Sequence, residues 1–139
     1  MTRILVVDDE PDIATSMQAG LQHKGFQVDS FTSPTDALAH YSPGAYQLLI
    51  VDVRMPDMDG FELVRKIRKI DPIVQVRFLT AFDITGDEFG RVFPEMDHRL
   101  LVQKPIMIEQ LVGIVKRILP SDQRLPVDNK KTRLFHHEK

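Results

Sequence analysis

The sequence contains no cysteine. That excludes disulfides and thiolate metal sites, and it fits a reducing compartment. No apolar run approaches the roughly eighteen residues of a membrane span, and the opening "MTRILVVDDE" turns acidic too early for a secretory signal. A concentrated basic face, the footprint of a nucleic-acid binder, is also missing. The net charge of −2 divides into −4 over residues 1–119 (13 basic, 17 acidic) and +2 over residues 120–139 (5 basic, 3 acidic). These absences point to a cytoplasmic protein that contacts neither membrane nor nucleic acid.

What is present is a globular composition, 42% apolar and 27% charged, in a length of 139 residues that suits one core. Residues 1–120 are expected to form the domain. The tail "PSDQRLPVDNKKTRLFHHEK" has two prolines and little apolar period, so residues 121–139 read as a flexible end or a linker remnant.

Five short apolar runs punctuate the chain: "RILVV" (3–7), "FQVDSF" (26–31), "QLLIVD" (47–52), "VQVRFLT" (74–80) and "LLVQ" (100–103). Between them lie stretches of helical period. Ile13, Met17 and Leu21 are spaced by four. Phe61, Val64 and Ile67 share a face, and Ile108, Leu111, Val112, Val115 and Leu119 form a stripe. Ser33-Pro34 reads as an N-cap with proline at the first helical position, opening a helix through Leu38 and Tyr41. The fourth helical segment, Asp83–Asp97, is poor, with Gly86 and Gly90 inside it and Pro94 near its end. Strand and helix alternate five times, which predicts an α/β fold with a doubly wound parallel sheet and helices on both faces. Such sheets bind ligands at the carboxyl ends of their strands.

The polar residues at those ends are informative. Asp8 and Asp9 follow the first strand, Asp52 closes the third, Thr80 the fourth, and Lys104-Pro105 the fifth. Taken singly, each has a structural reading: a loop acid, a helix cap, a strand-end acid bonded to amides. Their joint placement is harder to explain that way. Three clustered acids repel one another and favour a cation. A small set of hard oxygen ligands with room for water suits Mg²⁺. A carboxylate beside Mg²⁺ can attack a phosphoryl group to give an aspartyl phosphate. Lys104 can then pair with a phosphoryl oxygen, and Thr80 can donate a hydrogen bond to another.

"ILVVDDEPDI", "LLIVDVRMPDMDGFEL", "FLTAFD" and "LVQKPI" together resemble the receiver domain of two-component response regulators, over about residues 3–119. The resemblance implies a flavodoxin-like strand order 2-1-3-4-5 and assigns the site. Asp52 would be the phosphoacceptor, Asp9 a direct Mg²⁺ ligand, Asp8 a ligand mainly through water, and the Arg54 carbonyl a further ligand. Thr80 and Lys104 would be the switch hydroxyl and the phosphate-pairing lysine. Pro56 and Gly60 match the loop after the phosphoacceptor, and Pro105 the proline, often cis-linked, after the lysine. The implied partners are a sensor histidine kinase or phosphotransfer protein, and a downstream protein on the face formed by the fourth helical segment, fifth strand and last helix. Such a domain catalyses only its own phosphoryl transfer and slow dephosphorylation. One departure stands out: three residues before the lysine the family usually carries Tyr, Phe or His, and here that residue is Leu101. Leu101 is expected to stay inside, leaving the weak fourth segment, with Phe89 and Phe93, as the candidate readout.

The rival reading is a Mg²⁺-dependent phosphatase with an aspartyl-phosphate intermediate, like haloacid-dehalogenase-like enzymes. Those usually carry an acid two residues after the nucleophile, where this sequence has Arg54, and no cap insertion is visible. A third reading is a receiver cut from a longer DNA-binding regulator, although the tail contains no helix-turn-helix. The histidines (His23, His40, His98, His136 and His137) lack metal-ligand spacing and are read as solvated or capping. The basic cluster Arg65, Lys66, Arg68 and Lys69 is read as a solvated face.

Overall fold

The computed structural model describes residues 2–81 and 97–118; the weak fourth helical segment, with Phe89 and Phe93, and the tail lie outside these residues. Five strands, β1 (Arg3–Val7), β2 (Gln27–Phe31), β3 (Leu48–Asp52), β4 (Gln75–Thr80) and β5 (Leu101–Gln103), form one sheet. Its order is β2-β1-β3-β4-β5, and every pairing is parallel. Among the described residues four helices accompany it: α1 (Pro11–His23), α2 (Pro34–His40), α3 (Gly60–Arg68) and α4 (Ile108–Ile118).

Alternation along the strands splits the core into two layers. Leu5, Val7, Leu49, Val51, Val76 and Phe78 face one side, where Ala37 of α2 and Leu63, Val64 and Ile67 of α3 pack on them. Ile4, Val6, Leu48, Ile50 and Leu79 face the other, against Met17 and Leu21 of α1 and Leu111, Val112 and Val115 of α4. All five residues of β3 are buried, as its unbroken apolar run requires of a strand covered on both faces. Each such aliphatic side chain withdrawn from water contributes about 1.5–3 kcal/mol, so β3 is the anchor of the sheet.

Local chemistry sets the ends of the elements. Ser33 caps α2, its hydroxyl accepting from the Asp36 amide at 3.2 Å, and Pro34 follows at the first helical position. The helix stops at His40, because Tyr41 turns extended as its C-cap (φ −70°, ψ 136°). Asp59 caps α3 by accepting from the Glu62 amide at 2.8 Å. Glu10, at the cap of α1, makes no such bond. Leu100, expected in the fifth strand, lies instead in a short 3-10 turn leading into β5.

Leu101 is buried in the layer beneath α2 and α3, in register with Phe78 of β4. The interior position expected of it is the one it occupies.

Candidate functional site

Parallel strands end together, so the residues that close them meet at one edge. Asp8 follows β1, Asp52 ends β3, Thr80 ends β4 and Lys104 follows β5. Backbone bonds fix their relative heights: the Lys104 amide donates to the Thr80 carbonyl at 2.7 Å, and the Val53 amide to the Leu79 carbonyl at 2.8 Å. The Lys104–Pro105 peptide is cis, the isomer the resemblance implied. Past Asp52 the chain turns sharply, with Asp57 at φ 72°, a left-handed conformation that Asp tolerates better than most residues. Gly60 then passes so close that a Cβ there would lie 2.2 Å from the Asp52 carbonyl oxygen. Only glycine lets α3 begin against the end of β3.

These residues line a cleft of about 520 Å³ bounded by Asp9, Glu10, Asp52, Arg54, Thr80, Ala81 and Lys104. The predicted site residues are thus brought together, with Asp8 fully buried just behind. Asp8, Asp9 and Asp52 offer carboxylate oxygens that all lie within 4.8 Å of one another. Glu10 was not among the predicted residues. The third acid of "DDE" was its only trace in the sequence, and nothing there revealed that it reaches across to the other end of the chain.

The Lys104 ammonium sits among three carboxylates: 3.0 Å from Asp8 Oδ2, 3.2 Å from Glu10 Oε1 and 3.4 Å from Asp52 Oδ1. Burial alone would lower the lysine pKa, but the carboxylates of Asp8, Asp52 and Glu10 outweigh it and raise it. Lys104 is therefore a fixed cation. Asp52 is pushed the other way for an acid, up to about 7 from 3.8. Burial is the main cause and the Asp8 charge adds to it, while Lys104 only partly offsets them.

One lysine does not neutralise this pocket. Asp8 Oδ1 accepts from the Glu10 amide at 3.0 Å. Asp8 Oδ2 has Lys104 nearby as a charge, yet it is buried with no aligned hydrogen-bond donor. A buried carboxylate oxygen without a donor is costly, and a divalent cation shared with Asp9 and Asp52 would satisfy it. Hard oxygens with adjoining cleft space for retained water match Mg²⁺ in kind.

Comparison with known proteins settles the family. Residues 4–116 match the family model described as the response regulator receiver domain. This chain belongs to that family. It is 35% identical over 119 residues to the transcriptional regulatory protein PcoR of Escherichia coli, covering 86% of this chain and 52% of PcoR. The response regulator receiver protein CpdR of Brucella abortus is 30% identical over 119 residues, covering 86% of this chain and 98% of CpdR. The chain thus spans about half the length of PcoR and nearly all of CpdR. Among solved structures, TrrA of Thermotoga maritima in complex with Mg²⁺ and beryllofluoride superimposes with a TM-score of 0.70 at 32% identity, covering 86% of this chain and all of that one. The strand order and the two helical layers are those of a receiver domain, and none of these relatives supports the phosphatase alternative.

Of the five histidines, His136 and His137 lie outside the described residues. His40 Nδ1 lies 2.9 Å from the Asp36 carbonyl oxygen, one turn back on α2. In the basic cluster read as a solvated face, Lys66 pairs with Glu62 at 3.5 Å, but Arg68 departs from that reading: it turns inward to donate to the Val74 carbonyl at 3.1 Å, and burial lowers its pKa. Among the described residues no helix is long and apolar enough to cross a membrane.

Proposed function

We propose that this receiver domain takes a phosphoryl group onto Asp52 from a phosphohistidine on a sensor kinase or phosphotransfer protein, in the cytoplasm, and that the product biases a partner-binding face. The observation that carries the reading is Asp52 itself. It is a buried carboxylate at a strand end, open to a cleft, beside a lysine whose charge is held on. An Asp52 oxygen attacks phosphorus, the phosphorus–nitrogen bond of the donor breaks, and the imidazole leaves with the electron pair.

Asp9 and Asp52 would hold Mg²⁺ directly, with the Arg54 carbonyl, and Asp8 mainly through water. The bound cation would supply charge neutralisation for the carboxylates and the incoming phosphoryl oxygens. Lys104 pairs with one phosphoryl oxygen as a compact point charge, and the Thr80 hydroxyl donates to another. Rigid β3 keeps the nucleophile from moving during attack. The output surface is assigned to the fourth helical segment, β5 and α4, and residues 121–139 to a tail outside the domain.

Incubation with acetyl phosphate and Mg²⁺ is expected to add one phosphoryl mass, measured on the intact protein. Asp52→Asn or EDTA should abolish it. Unchanged labelling of Asp52→Asn would overturn the assignment.

A further inference from the structure

We propose that Glu10 is a positioning residue that holds Lys104 in its resting place and competes with a phosphoryl group for it. The inference rests on the reading of Asp52 as phosphoacceptor and adds a residue to it.

Three observations carry it. Lys104 Nζ donates to Glu10 Oε1 at 3.2 Å, a contact between residues 94 positions apart. Glu10 is also the N-cap residue of α1, with extended backbone (φ −90°, ψ 109°), yet it makes no side-chain cap bond. Both α2 and α3, by contrast, are capped by Ser33 and Asp59. A carboxylate at a helix N-terminus can accept from an amide of the first turn; this one extends instead over the mouth of the cleft to Lys104. Finally, Glu10 lines the cleft while remaining largely exposed, whereas Lys104 is mostly enclosed.

An ammonium has three donors. At rest one is given to Glu10, with Asp8 and Asp52 beside the ammonium as charges, and of these three carboxylates only Glu10 lies outside the proposed metal-binding and phosphoacceptor set. A phosphoryl group on Asp52 would draw Lys104 toward its oxygens and away from Glu10. The pair is exposed on the Glu10 side, so its loss should shift an equilibrium modestly, about two- to fivefold.

The test is the affinity of the full chain for beryllofluoride at saturating Mg²⁺, measured by NMR titration. Glu10→Gln removes the charge. Glu10→Asp keeps it but is too short to reach Lys104, and it can cap α1. Both should bind beryllofluoride about two- to fivefold more tightly than the parent. In a Lys104→Ala background the same Glu10 substitutions should change nothing, because the competitor's target is gone. A gain in Glu10→Gln alone would mean simple repulsion of the anion, and an equal gain without Lys104 would mean an effect through α1. Either result overturns the proposal, as do unchanged affinities in both variants. If the parent chain itself fails to bind beryllofluoride, the reading of Asp52 fails and this inference falls with it.

Discussion

Both ends of the sheet bury aspartates, and they treat them in opposite ways. At the amino end, Asp71 precedes β4 and is 6% exposed. One of its oxygens accepts from the Tyr41 hydroxyl at 2.5 Å and from the Gly44 amide at 3.1 Å. Tyr41 stacks at a tilt on Tyr46, their centroids 5.6 Å apart, and Tyr46 in turn donates to Asp29 at 2.6 Å. Burial first, and the Asp71 bond second, raise the Tyr41 pKa, so the phenol stays a donor. At the carboxyl end, Asp8 and Asp52 are just as buried but face each other, with one oxygen lacking an aligned donor. A buried acid met by donors ties loops together. A buried acid left short of them is a site waiting for a cation or an electrophile.

The largest stability effect should come from the satisfied end. Asp71→Ala strips the Tyr41 hydroxyl and the Gly44 amide of their acceptor and opens a small void between the loops before β3 and β4. It should cost about 3 kcal/mol, read as a lower urea midpoint with an unchanged slope. Tyr41→Phe, which removes one donor only, should cost about half as much. Phosphoryl uptake at 25 °C should be the same in both variants. A loss of uptake in Asp71→Ala while the protein remains folded would break the division between the two ends.

Next in size is an effect of opposite sign at the carboxyl end. The Asp52 carboxyl titrates at about 7 in the folded protein and at 3.8 ordinarily, so the folded state binds its proton more tightly than the unfolded state does. Between those two values the group's contribution to stability falls as pH rises, and above about 7 the whole cost of the buried charge is present. Asp52→Asn removes that cost. In EDTA the variant should melt higher than the parent at pH 8, with a smaller gain at pH 5. Adding Mg²⁺ should raise the parent's melting temperature at pH 8 and do less for the variant. An Asp52→Asn chain that is less stable than the parent at pH 8 would show that Lys104 already compensates the charge.

This asymmetry also explains what could be read from the sequence. All five strands lie within a residue of their apolar runs, and in β3 burial on both faces writes itself into consecutive residues. The residues of the candidate site were legible because parallel topology carries strand ends to one edge, so order along the chain sufficed. The Tyr41–Asp71 and Lys104–Glu10 contacts were not, because they join residues 30 and 94 positions apart through side chains in loops and caps, where no periodicity constrains them. Glu10 is the last of three consecutive acids and Asp71 a lone acid between Ile70 and Pro72, and only packing distinguishes them from solvated ones. Leu101 lay between these cases. Its apolar character alone predicted an interior place, worth about 1.5–3 kcal/mol of burial, and it is 7% exposed.

The smallest stability effects are expected at Thr80 and Lys104, where the comparison is sharpest. Thr80 is buried at the end of β4, and its part in the sheet is made by its backbone: the carbonyl accepts from the Lys104 amide at 2.7 Å. Thr80→Ala preserves that bond and removes only the side-chain hydroxyl and methyl group, so the melting temperature should move by a few degrees at most. Lys104→Arg keeps the positive charge but spreads it over a planar fork, which does not fit the position of a compact ammonium among Asp8, Glu10 and Asp52. Neither change touches the Asp52 oxygen proposed to attack phosphorus, so both variants should still gain one phosphoryl mass from acetyl phosphate and Mg²⁺. What they should lose is the consequence. NMR shift changes remote from Asp52, which follow beryllofluoride binding in the parent, should shrink in Thr80→Ala and Lys104→Arg. The two residues at the phosphoryl oxygens would then be couplers rather than acceptors. Remote shifts as large as the parent's in both variants would assign the coupling to some other group around the cleft.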